Sequence, residues 1–159
     1  MADRLLFILT FAAAIGSGLV AGVFFAFSSF VMAALGRLPP AEGIAAMNSI
    51  NITVINPGFM LALFGTGLVC LALAVSSYFW WDQSSGKLIL IASLIYIVGC
   101  AGVTMVCNVP LNDALAAVQT CTPEAANVWS RYLRDWTNWN HVRTGASFVS
   151  AILFTAALI

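Results

Sequence analysis

Long uncharged blocks dominate the order of apolar and polar positions. Three apolar stretches, Leu5 to Leu35, Phe59 to Trp81 and Leu88 to Val109, each meet the roughly 20 helical residues that cross a bilayer core about 30 Å thick. A fourth, Thr144 to Ile159, has 16 residues, and at about 1.5 Å each it covers only about 24 Å. To span the bilayer it must draw on upstream residues, and about 20 residues counted back from Ile159 reach Asn140. His141 and Arg143 then lie at membrane depth. The same count forward from Leu88 puts Cys107 and Asn108 near the far boundary of the third helix, just before Pro110 removes a backbone donor. The pattern predicts an all-α integral membrane four-helix bundle, one domain over residues 1–159, with spans near 5–35, 57–81, 88–109 and 140–159.

The connections are unequal. Pro39 and Pro40 precede Ala41 to Asn51, where Ile44, Met47 and Ile50 or Asn51 follow helical spacing, which predicts a short interfacial helix between helices one and two. Asn56 before Pro57 reads as cap and first position of helix two. In the third connection, Thr122, Pro123 and Glu124 open a second interfacial helix, in which Trp129, Tyr132, Trp136 and Trp139 recur at three- or four-residue steps. That aromatic stripe suits either headgroup depth or the wall of a pocket for a flat ligand. Helices two and three are joined only by Asp82 to Lys87, a polar turn on the opposite membrane face. One end is therefore plain and the other elaborate. Arg37, Arg131, Arg134 and Arg143 at the elaborate end, against Arg4 and Lys87 at the plain one, place the elaborate end in the cytoplasm.

Composition agrees with the hydropathy pattern. With 62% hydrophobic and 8% charged residues, the chain has too little polar surface for a water-soluble domain, and a lipid bilayer is its solvent. Six basic and six acidic residues, without a basic block, argue against a nucleic-acid partner. Of the four cysteines, Cys70, Cys100 and Cys107 lie inside apolar stretches and Cys121 lies in the third connection, with no CxxC pair. Asp3, Arg4 and the alanines Ala12 to Ala14 resemble a signal peptide, but the run continues uncharged to Gly36, as a retained anchor does. Ala14, Gly18, Gly22 and Ala26 form a small-residue stripe at which another helix packs closely, within the chain or in a homo-oligomer. Asn51, Ile52 and Thr53 match a glycosylation acceptor, a pattern too short to assign a role.

Two polar constellations carry the candidate chemistry, Asn108 to Asp113 at the end of helix three and Trp136 to Arg143 entering helix four. Ionisable groups at membrane depth are costly and are paired or functional. Asp113 is a candidate ion-pair partner for Arg143, either tying the helix ends together with Asn108, Asn112 and Asn140 or serving a reaction. His141, the one histidine, is either an interfacial side chain or a base, since neutral imidazole suits proton abstraction near neutral pH. Arg143 would then hold the anion formed. The two residues are two apart and do not share a helix face, so they would flank a pocket. A di-iron site is disfavoured because no carboxylate lies within the apolar spans. Haem needs one axial ligand, for which His141 is the candidate.

At these residues the sequence resembles a family, the DUF1772 membrane proteins that include the fungal anthrone oxygenases. The resemblance rests on Gly22 to Phe27, Asn56–Pro57, Asn108 to Asn112 and Trp139 to Arg143. It implies oxidation of a lipophilic anthrone to an anthraquinone by O2, without flavin or nicotinamide. Carried onto this chain, His141, Arg143, Asn108, Asn112 and Asp113 are the candidate catalytic set, and Trp136, Trp139, Asn140 and Phe27 the candidate substrate contacts. No cofactor is expected beyond the haem alternative. The competing function is a non-catalytic membrane subunit or small-molecule binder. A transporter is disfavoured, because no span carries an ionisable residue at its midpoint.

Overall fold

The computed structural model describes residues 2–80, 84–119 and 122–159. Cys121 and the Asp82–Gln83 part of the expected polar turn lie outside the described residues. Among the described residues the fold is all-helical, and three helices are long and apolar enough to cross a membrane: Arg4–Leu35, Pro57–Phe79 and Ser85–Ala116.

The first of these is built from α1 (Ala2–Ala26), a π-helical turn (Phe27–Val31) and α2 (Met32–Leu35). Pro39, extended at φ −50° and ψ 141°, and Pro40 at the first helical position then start α3 (Pro40–Thr53), since proline is preset for a first turn but cannot continue one. Asn56 separates α3 from α4 (Pro57–Met60). Its Nδ2 donates to the Thr53 carbonyl (3.0 Å), and its Oδ1 accepts from the Phe59 amide (3.1 Å). One side chain thus satisfies the end of one helix and the start of the next. A π turn (Leu61–Gly65) leads into α5 (Thr66–Ser76).

The third span begins as α6 (Ser84–Tyr96), passes through two π segments, Ile97–Gly102 and Thr104–Asn108, and ends as α7 (Val109–Ala116). The expected stop at Pro110 is therefore corrected. The wider π turn directly before the proline accommodates the lost donor and the ring, and the helix continues to Ala116. The second correction concerns α8. The interfacial helix expected to open at Thr122 and the last apolar helix are one continuous element, Pro123–Ala156, of 34 residues. No glycine or proline interrupts it before Gly145, and at about 1.5 Å per residue it is about 51 Å long.

Helix α1 packs along α8, α8 along α6, α6 along α5 and α5 along α1, which closes a ring. Two cores fill it. At the plain end Ala13, Val20, Cys70, Leu73, Ile89, Tyr96 and Phe154 are buried together. At the elaborate end Met32, Ile44, Met47, Leu115, Trp129, Tyr132 and Trp136 form the second core. Close approach is tight at three glycines, Gly16 against Thr66 among them. A Cβ on Gly99 would stand 2.6 Å from that of Ala146, and one on Gly43 would meet the Trp129 ring at 2.7 Å. The small-residue stripe behaves differently: Gly18 and Gly22 are exposed, and nothing within the described chain lies within 4 Å of an added Cβ. Gly99→Ala should consequently lower unfolding stability in detergent by about 1–3 kcal/mol through overpacking, while Gly18→Ala leaves it unchanged. Thermal unfolding of the two variants checks the contrast.

Candidate functional site

The inner face of α8 carries Trp136, Asn140, Arg143 and Ser147, at the three- and four-residue spacing that holds a single face. Arg143 is buried, at 4% exposure, although it is fully cationic by its chemistry. Its guanidinium carbon lies 4.2 Å from the Phe24 ring centre and 5.0 Å from that of Trp136, so two aromatic faces supply part of the stabilisation that water would give. Nη2 donates to Asn140 Oδ1 (2.8 Å), and Nη1 makes a longer contact with Thr104 Oγ1 (3.4 Å). Nε has no partner.

Asn140, itself fully buried, is the joint behind that arginine. Its Nδ2 donates to the Phe24 carbonyl and to Ser28 Oγ, both at 2.7 Å. One amide therefore fixes α8 against the π turn of the first span while its oxygen holds Arg143. Thr144, which donates to the Asn140 carbonyl and lies 3.1 Å from Ser28 Oγ, closes the cluster. Asn108 is buried and donates to the Trp136 carbonyl (3.2 Å), which joins helix three to α8. Asn112 Oδ1 accepts from both Tyr132 Oη (2.8 Å) and Trp136 Nε1 (2.9 Å). Burial pushes the Tyr132 phenol above its ordinary value, which keeps it a donor in that bond.

A cavity of about 950 Å³ opens between the two cores. Phe24, Phe27, Phe59 and Trp136 give it aromatic walls, Arg143, Thr104, Asn112, Asn48 and Asn51 give it polar points, and Asp113 stands at its exposed rim. The π turns shape it. Phe27, Leu63, Phe64, Thr104 and Met105 all come from π segments of the three spans, a distortion that recurs at functional sites because the extra residue re-aims the backbone.

The sequence model of the anthrone oxygenase family matches residues 59–153, more than half of the chain. The chain belongs to the anthrone oxygenase family. No curated protein and no solved structure is significantly similar to it. In this anthrone oxygenase family member the matched segment contributes Thr104, Asn112, Asp113, Trp136 and Arg143 to the cavity, whereas Phe24, Phe27, Asn48 and Asn51 come from the region before it.

Several sequence expectations meet their geometry here. Asn108, Asn112, Trp136, Asn140 and Arg143 are brought together, and Phe27 packs on Trp136 with ring centres 5.6 Å apart. Trp139 is 42% exposed and is not part of the cavity wall. His141 is exposed on the outer face of α8 and also lies off the wall, because its neighbours Asn140 and Arg143 occupy the inward positions. The expectation that it flanks the pocket as a base is corrected on that ground. Asp113 makes no ion pair with Arg143. It points to the exposed rim, while Arg143 is held inward by Asn140 and the rings. The ion pair on α8 is instead Arg134 with Asp135 (2.8 Å), both exposed, where the arginine's hydrogen bond holds the carboxyl below its ordinary range. Among the described residues, no group of three or more His, Cys, Asp or Glu side chains converges. The sequence reading did not place Asn48 and Asn51 at the cavity, where both stand. The signal available was their place beside Ile44 and Met47, both buried.

Asn140→Leu removes the donor to two acceptors, the Phe24 carbonyl and Ser28 Oγ, and the acceptor of Arg143 together. It should destabilise the protein by about 1–3 kcal/mol for each buried polar group left unpaired, read as a lowered unfolding midpoint in detergent.

Proposed function

We propose that this protein is a membrane-embedded oxygenase that oxidises a flat, lipophilic, anthrone-type substrate with O2. The observation that carries the reading is Arg143: a buried cation, unpaired by any described carboxylate, that lines an aromatic cavity. A cation left without a counter-ion in an apolar site is complementary to an oxyanion formed there. In this reading α8 is the fourth span of a four-helix membrane bundle, α3 and the start of α8 lie at the interface, and the elaborate end faces the cytoplasm. Ile52, Ile55 and Met105, apolar and exposed at the cavity's mouth, give a lipophilic substrate a route from the bilayer.

The chemistry follows from the carbon acid. An anthrone bears an acidic CH2 between two aryl rings, and loss of one proton gives an enolate whose charge sits on the oxygen beside Arg143. Asp113, the carboxylate on the cavity wall, takes that proton and passes it to solvent at the rim. The electron-rich enolate reduces O2 by one electron, the radical pair combines to form a C–O bond, and the peroxide anion so formed takes one proton back from solvent. The resulting hydroperoxide breaks its O–O bond as the second ring proton leaves, so one oxygen atom becomes the new carbonyl and the other departs as water. Both electron pairs come from the substrate, so the sequence of steps is balanced without a further reductant.

Oxygen uptake with anthrone by the detergent-purified protein tests this reading. Arg143→Gln should cost about 100- to 1,000-fold in turnover, the usual loss on removing an oxyanion donor, while His141→Ala stays within about twofold of wild type. Wild-type binding of anthrone with no oxygen uptake would instead make the protein a non-catalytic small-molecule binder.

A further inference from the structure

A second, smaller recess of about 200 Å³ lies between the first two spans. Leu19, Val20 and Val23 of α1 form one side of it, and Gly58 and Phe59 of α4 with Ala62 of the following π turn form the other. All six residues are apolar, so their side chains give a ketone or hydroxyl nothing to bind. Leu19 and Gly58 are exposed, and both spans are apolar enough to cross a membrane, so the open side of the recess meets acyl chains. Gly58 leaves that side uncovered: an added Cβ would come within 4 Å only of Asn56 Oδ1, at 3.3 Å.

The inner side leads to the chemistry. Val23 and Phe59 line the main cavity as well as the recess. The Phe59 ring meets the Phe24 ring edge-on, with centres 6.2 Å apart, and Phe24 is the ring on which the Arg143 guanidinium lies, at 4.2 Å. The recess therefore ends two rings from the cation beside which the enolate oxygen is placed.

We propose that this recess admits O2 from the bilayer to the Arg143 site, by a route separate from the mouth at Ile52, Ile55 and Met105. The inference rests on the oxygenase reading and adds the path of its second substrate. O2 is small and apolar and passes from water into hydrocarbon as other apolar solutes do, so the bilayer is its reservoir. A flat substrate obstructs the mouth by which it came, and a second opening keeps the supply of O2 independent of that occupancy. Val23 and Phe59 are partly exposed, and rotamer exchange of such side chains is fast, so a diatomic passes without a domain motion.

Quenching of a triplet state by O2 tests the route without turnover. Anthracene, a flat probe, is bound to the full chain in detergent, and the rate constant at which O2 quenches its triplet is compared between wild type and variants, with protein-free micelles as the reference. Ala62→Phe fills the recess from a position that does not line the main cavity. The constant should fall about tenfold, as association rates do when their path is narrowed, with the affinity for anthracene unchanged. In turnover of anthrone the KM for O2 should rise by the same factor while kcat at saturating O2 is kept. Leu19→Phe, on the exposed side of the recess, replaces a variant that does not fold, with the same expectation. A quenching constant or a KM for O2 within about twofold of wild type in a folded variant, the result if a lipid or detergent tail fills the recess or O2 enters by the mouth, overturns the route and leaves the oxygenase reading standing. Failure of anthracene to bind wild type overturns the aromatic-cavity reading and the route with it.

Discussion

A buried guanidinium with no carboxylate partner among the described residues is the constraint around which the rest of this structure is arranged. Such a charge is expensive in an apolar medium unless other groups replace its hydration. Here the replacements are two ring faces, one amide oxygen and a threonine hydroxyl. None of them neutralises Arg143, and one of its nitrogens is left free. The site is thus stable enough to exist and still short of one negative partner, as the anion-holding role proposed for it requires.

That requirement propagates outward through Asn140. Because its oxygen is committed to Arg143, its amide hydrogens are available only to the first span, where they reach the Phe24 carbonyl and Ser28. The same span supplies the Phe24 ring on which the guanidinium lies. On the other side, Asn108 and Asn112 tie the third helix to the Trp136 carbonyl and indole. Separate cores at the two ends of the molecule, and π turns in three spans where they meet, hold a cavity open at that level instead of letting side chains collapse into it. Below that level close packing, as where Gly99 meets Ala146, is joined by buried hydrogen bonds from Ser150 to the Ala92 carbonyl and from Tyr96 to the Leu63 carbonyl.

Much of this was legible in the residues, and the rest was hidden for identifiable reasons. Block hydropathy located the three apolar spans, and Asn56–Pro57 announced a helix start that the side chain does cap. The depth count put Arg143 beside the end of helix three. It could not say which neighbours of Arg143 turn inward, although a helix that buries positions 136, 140 and 143 must expose 139 and 141, as it does here. Pro110 looked like a terminator because sequence periodicity does not distinguish a π turn from an α turn, and the π turn is what lets the helix continue. Of the α3 asparagines at the cavity, Asn48 passed unnoticed and Asn51 entered only as a spacing position and a glycosylation match, because amides on a short helix read as solvated.

The central claim is that Arg143 holds an anionic oxygen of the bound substrate, and the absorption spectrum of that complex tests it most directly. Titrated with anthrone in the absence of oxygen at neutral pH, the purified protein should develop the long-wavelength band of the enolate, and Arg143→Gln should bind the same ligand without that band. A wild-type complex whose spectrum remains that of the neutral ketone would contradict the account.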